Sequence, residues 1–167
     1  HAFQRAMAGL AERRAADAQA ETFWTWREQM YRHALAMTPD DVEAVAAQLY
    51  VEMLEAGFAS VGEFHYLHHD RAGRPYADPA EMAGRIAAAA RETGIGLTLL
   101  PVFYAHSTFG GAPPGDEQRR FICDLDLFAT LLEASRRHVA ATPGALMGLA
   151  PHSLRAVTAA ELKGVVA

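Results

Sequence analysis

The chain has 167 residues, 51% of them hydrophobic and 21% charged, with a formal net charge of -5. That is enough apolar material for one buried core and too much for a disordered chain, and a pI near 5.9 argues against a nucleic-acid or anionic-membrane surface. No apolar run approaches the roughly 18 residues of a membrane span, no signal-peptide pattern opens the chain, and the single Cys123 fits a reducing cytoplasm. Residue 1 is His rather than Met, which predicts a sequence cut from a longer one.

In chain order, residues 2–19 carry Phe3, Met7 and Leu10 among alanines, a weak helical pattern. Thr22 is the expected cap of a helix through Trp24, Met30 and Leu35 to Met37. Thr38-Pro39-Asp40-Asp41 starts another, with a capping hydroxyl, a proline at the first position and acids against the dipole. Val42, Val45, Ala46, Leu49, Met53 and Leu54 follow at helical spacing, and Gly57 is the stop. Residues 58–65 have the length of a buried strand, and a polar loop fills 66–79. Pro79-Ala80-Glu81 opens a helix that ends at Gly94. Residues 95–104 are continuously apolar and predict a strand covered on both faces. A Gly/Pro loop over 106–115 leads to a helix expected near 117–139. A short apolar run at 145–150 then ends in Pro151-His152, and a last helix starts from Thr158.

Long helices between short apolar strands predict a parallel α/β sheet. Residues 58–65, 96–104 and 145–151 are expected to lie side by side with helices on one face. Polar residues gather just past each strand: Glu63, His65 and Tyr66; Tyr104, His106 and Ser107; His152, Ser153 and Arg155. In barrels and doubly wound sheets alike, that edge carries the ligand site. Gly110-Gly111 is a lone pair, not a phosphate loop, which favours a barrel segment over a nucleotide-binding sheet.

The histidines in 65–69 read, from spacing alone, as a solvated loop that binds nothing, since adjacent His68 and His69 point in different directions and no HExxH or CxxC is present. No nucleophile elbow surrounds Ser153. Cys123, in helical phase with Phe121, Ile122 and Leu125, reads as core. Arg27 either packs its stem beside Trp24 and Trp26 with a wet head, or is fixed there to clamp a carboxylate. His152 and Arg155 pose the same choice, and their place after a strand favours function.

Five words then occur in order: residues 1–10 (His1-Ala2-Phe3-Gln4-Arg5 onward), Phe23-Trp24-Thr25-Trp26-Arg27, residues 63–70 (Glu63-Phe64-His65-Tyr66 onward), residues 96–102, and His152-Ser153-Leu154-Arg155-Ala156-Val157. Together they resemble the formimidoylglutamate deiminases of the amidohydrolase superfamily, over nearly the whole chain. The resemblance implies a zinc enzyme on a (β/α)8 TIM-type barrel. This chain would be its N-terminal half, from the end of strand 1 to strand 4. Residues 1–167 would be one partial barrel domain, with a small β domain upstream and the other half barrel downstream. In such proteins the first strand ends in His-x-His; His1 matches the second member and is the implied zinc ligand. The other ligands and the proton-transfer groups would come from later strands. Residues 11–21 fall where the family varies.

The implied reaction is hydrolysis of N-formimidoyl-L-glutamate to N-formyl-L-glutamate and ammonia, in histidine degradation. Gln4, Arg27, Tyr66, His152 and Arg155 match the family's substrate contacts. The arginines suit two carboxylates, Tyr66 and Gln4 hydrogen-bond, and His152 meets the polar head near the metal, the one residue here open to a catalytic role. The full-length protein is expected to be a cytoplasmic homo-oligomer acting on a small molecule, with no nucleic-acid or membrane partner. Two alternatives stand beside it. One is a sister deaminase of guanine- or triazine-like rings, which would not need both arginines. The other is a non-catalytic α/β binding module, which predicts no clustering of the five residues.

Overall fold

Caps and stops set the frame of the molecule, a computed structural model that describes residues 1–9 and 23–166. The expected helix over 2–19 begins instead as a 3-10 helix, Ala2–Met7, and its part from Leu10 on, with Thr22 and the variable 11–21, lies outside the described residues. Helix α1 spans Phe23–Ala36 and α2 spans Pro39–Glu55. At the start of α2 the Thr38 hydroxyl accepts the Asp41 amide at 3.1 Å, while the Asp41 carboxylate accepts the Thr38 amide at 2.8 Å. Two otherwise unpaired donors are satisfied reciprocally. Val42, Ala46 and Tyr50, four residues apart, form its buried stripe.

Strand β1 is Ser60–His65, α3 is Glu81–Thr93 and β2 is Gly96–Phe103. Gly94, at φ +79°, ends α3 in the left-handed conformation that a residue without Cβ adopts freely. β1 and β2 pair in parallel from Ser60↔Gly96 to His65↔Pro101. The expected third strand is broken in two: β3, Leu146–Met147, and β4, Ala150–Pro151, each pair in parallel with β2. The break falls at Gly148, where a Cβ would meet Leu100 Cδ2 at 2.8 Å. The parallel sheet therefore has β2 at its centre.

Helices α3 and α4 (Leu125–Ala140) pack against β2. Leu99 and its register partner Glu63 are buried, whereas Leu100 and its partner Phe64 are only half-buried. Helices thus cover one face along the strand, and the expected cover on both faces is met only over Pro101, Val102 and Phe103, the preceding residues being half-buried on the other face. α4 also starts later than expected. Residues Asp116–Gln118 make a 3-10 turn with Gln118 buried, a loop follows that buries Arg120 and Phe121, and Asp124 caps α4 by accepting the Leu127 amide at 2.8 Å. Cys123 accordingly sits in that loop rather than in a helix. It is core as read, packed with Phe103, Phe128, Leu131, Val157 and Val165, and burial pushes its thiol up to about 12. The last helix, α5, is Ala159–Val166. Among the described residues no helix is long and apolar enough to cross a membrane.

Candidate active site

The C-terminal ends of β1, β2 and β4 open on a cavity of about 200 Å³. His1, Gln4, Arg27, Tyr66, His152 and Arg155 all line it. Six residues from four stretches of sequence thus meet at the strand edge where α/β folds build ligand sites.

Each is held by its own device. Tyr66 directly follows β1, with its ring edge-on to Phe3 at 5.4 Å, Phe121 at 5.1 Å and His152 at 5.4 Å. Its hydroxyl accepts from Gln4 Nε2 at 3.5 Å and lies 3.8 Å from Met30 Sδ, both long contacts. Burial raises the Tyr66 pKa, so the phenol keeps its proton. Gln4 rides on the 3-10 helix, which is tied down twice: Arg5 pairs with both oxygens of Glu52 at 2.6 and 2.7 Å, and buried Glu63 accepts the Ala2 amide at 2.6 Å. The His152 amide donates to the Phe103 carbonyl at 2.8 Å, extending the β4 ladder and fixing its ring 4.2 Å from that of Tyr104. Burial, with Arg155 and Arg27 nearby, lowers His152 to about 4, so its imidazole is neutral at pH 7. Arg27 is not simply wet: its Nε donates to the Tyr31 hydroxyl at 2.8 Å, and the guanidinium carbon lies 5.0 Å from that ring.

A scan of the full sequence matches the amidohydrolase family model over residues 1–167. The chain belongs to the amidohydrolase family. It is 53% identical over 167 residues to a formimidoylglutamate deiminase from Pseudomonas aeruginosa, spanning 36% of that protein's length. Its fold matches the crystal structure of an amidohydrolase from Brucella melitensis at a TM-score of 0.94 and 63% identity, covering 99% of this chain and 37% of that one. The parallel sheet with its helices is therefore a segment of the amidohydrolase α/β barrel, and the cavity lies at the C-terminal edge of its strands.

Other strand-end residues of this family member lie elsewhere. His106 pairs with Glu161 at 2.9 Å, and Ser107 turns to the Ala112 carbonyl. The histidine loop is not solvated, contrary to expectation: His65, His68 and His69 are 3%, 1% and 2% exposed. The loop is drawn inward because the His68 and His69 amides bond the Arg120 carbonyl, while their rings bond the Val102 and Ile122 carbonyls at 2.9 and 2.7 Å. Sequence reasoning passed over Tyr31 and the apolar wall of Trp26, Met30 and Phe121. Tyr31 had a signal, its place one helical turn after Arg27.

A metal in such a site must find its ligands around the cavity. His1 Nδ1 lies 3.1 Å from the Phe64 carbonyl, the kind of backbone bond that orients a ligating imidazole and leaves Nε2 for the ion. Among the described residues no group of three His, Cys, Asp or Glu could hold a metal. His1 fits as one ligand of a larger set.

Proposed function

We propose that the protein carrying this chain is a zinc-dependent hydrolase that converts N-formimidoyl-L-glutamate and water to N-formyl-L-glutamate and ammonia, a step of histidine degradation. The observation that carries the reading is the cavity in which Arg27 and Arg155 meet Gln4, Tyr66 and neutral His152. A substrate with two carboxylates calls for two fixed cations, because a guanidinium binds a carboxylate through paired N–H donors. A planar neutral ring such as guanine has no use for both. A non-catalytic module has no reason to gather these residues at one strand edge.

In this reading Arg27 and Arg155 receive the carboxylates and Tyr66 donates its phenolic proton. Gln4 offers an amide to either kind of partner. Holding the glutamate moiety at several points turns an encounter into a positioned reaction. His152, neutral near pH 7, hydrogen-bonds the formimidoyl head without adding positive charge beside the arginines. It is the candidate in this chain for contact with the reacting group. Trp26, Met30 and Phe121 keep bulk water from the polar contacts. His1 would hold zinc through Nε2, and zinc when bound supplies the Lewis acidity that makes a water nucleophilic near neutral pH. Residues 1–167 are here one part of a barrel domain, and the enzyme is a cytoplasmic homo-oligomer that meets a small molecule rather than nucleic acid or membrane.

The test is ammonia release from N-formimidoyl-L-glutamate by the zinc-loaded full-length protein, with guanine as the comparison substrate. Arg155→Met should weaken substrate binding by about 2–5 kcal/mol, read as a rise in KM. Turnover of guanine with none of the amidine overturns the reading. A near-normal KM in Arg155→Met removes that residue from the site.

A further inference from the structure

Tyr31 and Tyr104 stand in the wall of the same cavity, 9% and 4% exposed. Their neighbours fix the direction of each hydroxyl. Arg27 Nε has only a hydrogen to give, so at 2.8 Å it makes the Tyr31 oxygen an acceptor. Fully buried Gln118 accepts the Gly115 amide on Oε1 at 2.8 Å, so its amide nitrogen is the atom 2.6 Å from the Tyr104 hydroxyl. The Tyr104 oxygen is therefore an acceptor too. Each phenol retains its own proton to donate. The two hydroxyls are neighbours, and the hydrogen bonds each makes among the described residues are accepted ones, so no acceptor there takes a phenolic proton.

Burial and the neighbouring Tyr31 hydroxyl hold the Tyr104 phenol up at about 12, so it stays protonated through the working range. An O–H without an acceptor, beside Arg27 and in a cavity with Arg155 and an uncharged His152, calls for an anionic oxygen on the ligand. We infer that Tyr31 and Tyr104 act as a hydroxyl pair that gives one O–H to the ligand carboxylate received by Arg27, and that the pair sets the cavity's preference for that carboxylate. Gln118 is then a positioning residue, aiming Tyr104 through an amide whose other end is pinned by Gly115. The inference rests on the dicarboxylate substrate proposed for this cavity.

The experiment uses the full-length, zinc-loaded protein and calorimetric binding of N-formyl-L-glutamate, the product, with two analogues that each lack one carboxylate, N-formyl-4-aminobutyrate and N-formyl-2-aminobutyrate. In Tyr31→Phe and Tyr104→Phe the Kd for N-formyl-L-glutamate should rise roughly tenfold or more, the loss of a hydrogen bond to a charged group. One of the two analogues, the one without the carboxylate met by Arg27, should bind each variant as it binds wild type. In turnover the loss should fall on KM rather than on kcat. Equal weakening of all three ligands marks a merely structural role and overturns the inference. So does retention of the wild-type Kd for N-formyl-L-glutamate in both variants. Failure of wild type to bind N-formyl-L-glutamate sinks the dicarboxylate reading itself, and the pair with it, and is seen before any variant is made.

Discussion

His68 gives the proton on Nε2 to the Val102 carbonyl at 2.9 Å in a site closed to water. Desolvation of the charged ring lowers its pKa from the ordinary 6.5 to about 3, and the same cause lowers His65 and His69. Unfolded histidines take up protons near pH 6.5, whereas these stay neutral in the fold. Between pH 6.5 and 3 the unfolded chain thus binds more protons, and stability falls as pH drops through that window; above it the effect vanishes. Urea unfolding of the protein from pH 7.5 to 5 should show the loss. His68→Gln, which keeps a donor for Val102 and cannot titrate, should show a shallower one. An unchanged slope in that variant would mean that His68 is not the group responsible. The sequence named these histidines but misread their exposure, because burial depends on the Arg120 carbonyl, 51 or more residues away in the chain for either bonded amide. The arginines, Gln4, Tyr66 and His152 were legible through the resemblance, with strand-end position as independent support for Tyr66, His152 and Arg155 alone.

Among elements, α1 is held by an unusual fastening. Arg120, fully buried, donates to the Met37 and His69 carbonyls at 2.8 Å each, to the Ala34 carbonyl and to the Tyr76 hydroxyl at 3.4 Å. Ala34 and Met37 are at the C-terminal end of α1, where carbonyls lack helical partners, so one guanidinium closes the helix and ties it to the loop after β1. Burial lowers the Arg120 pKa, yet its carbonyl acceptors satisfy the donors. Arg120→Met leaves several buried carbonyls without donors and should cost about 3 kcal/mol or more, read as a fall in Tm. Because α1 carries Arg27 and Tyr31, KM should rise as well. A melt within a degree of wild type would show that water replaces the guanidinium at no cost. The starts of α2 and α3 were legible because proline, acids and a capping Thr38 act within one turn. The start of α4 was not: Phe121, Ile122 and Cys123 continue its apolar phase, but they serve a buried loop whose shape Arg120 and Gln118 decide through distant partners.

At the scale of the molecule, the sheet has β2 inside and β1 outside, with the short β3 and β4 on the other flank. Phe58 and Leu146 are 59% and 65% exposed, and one face of the sheet is only half covered. The chain spans 36% of the length of the deiminase it resembles, and the proposed chemistry needs more metal ligands than the described residues bring together. Catalytic zinc takes about three protein ligands and a water, while the described residues offer no triplet and the His68 and His69 Nε2 atoms already face backbone carbonyls. Residues 1–167 expressed alone should therefore bind zinc about 100-fold or more weakly than the full-length protein and release no ammonia from N-formimidoyl-L-glutamate. Exposed strand edges and apolar side chains should also drive self-association, visible as a concentration-dependent mass in sedimentation. Metal titration with a chelating competitor, run beside the ammonia assay, checks the first part. Tight zinc binding with turnover by residues 1–167 would require a second set of ligands within this chain, and His1 would lose its place as one member of a shared site.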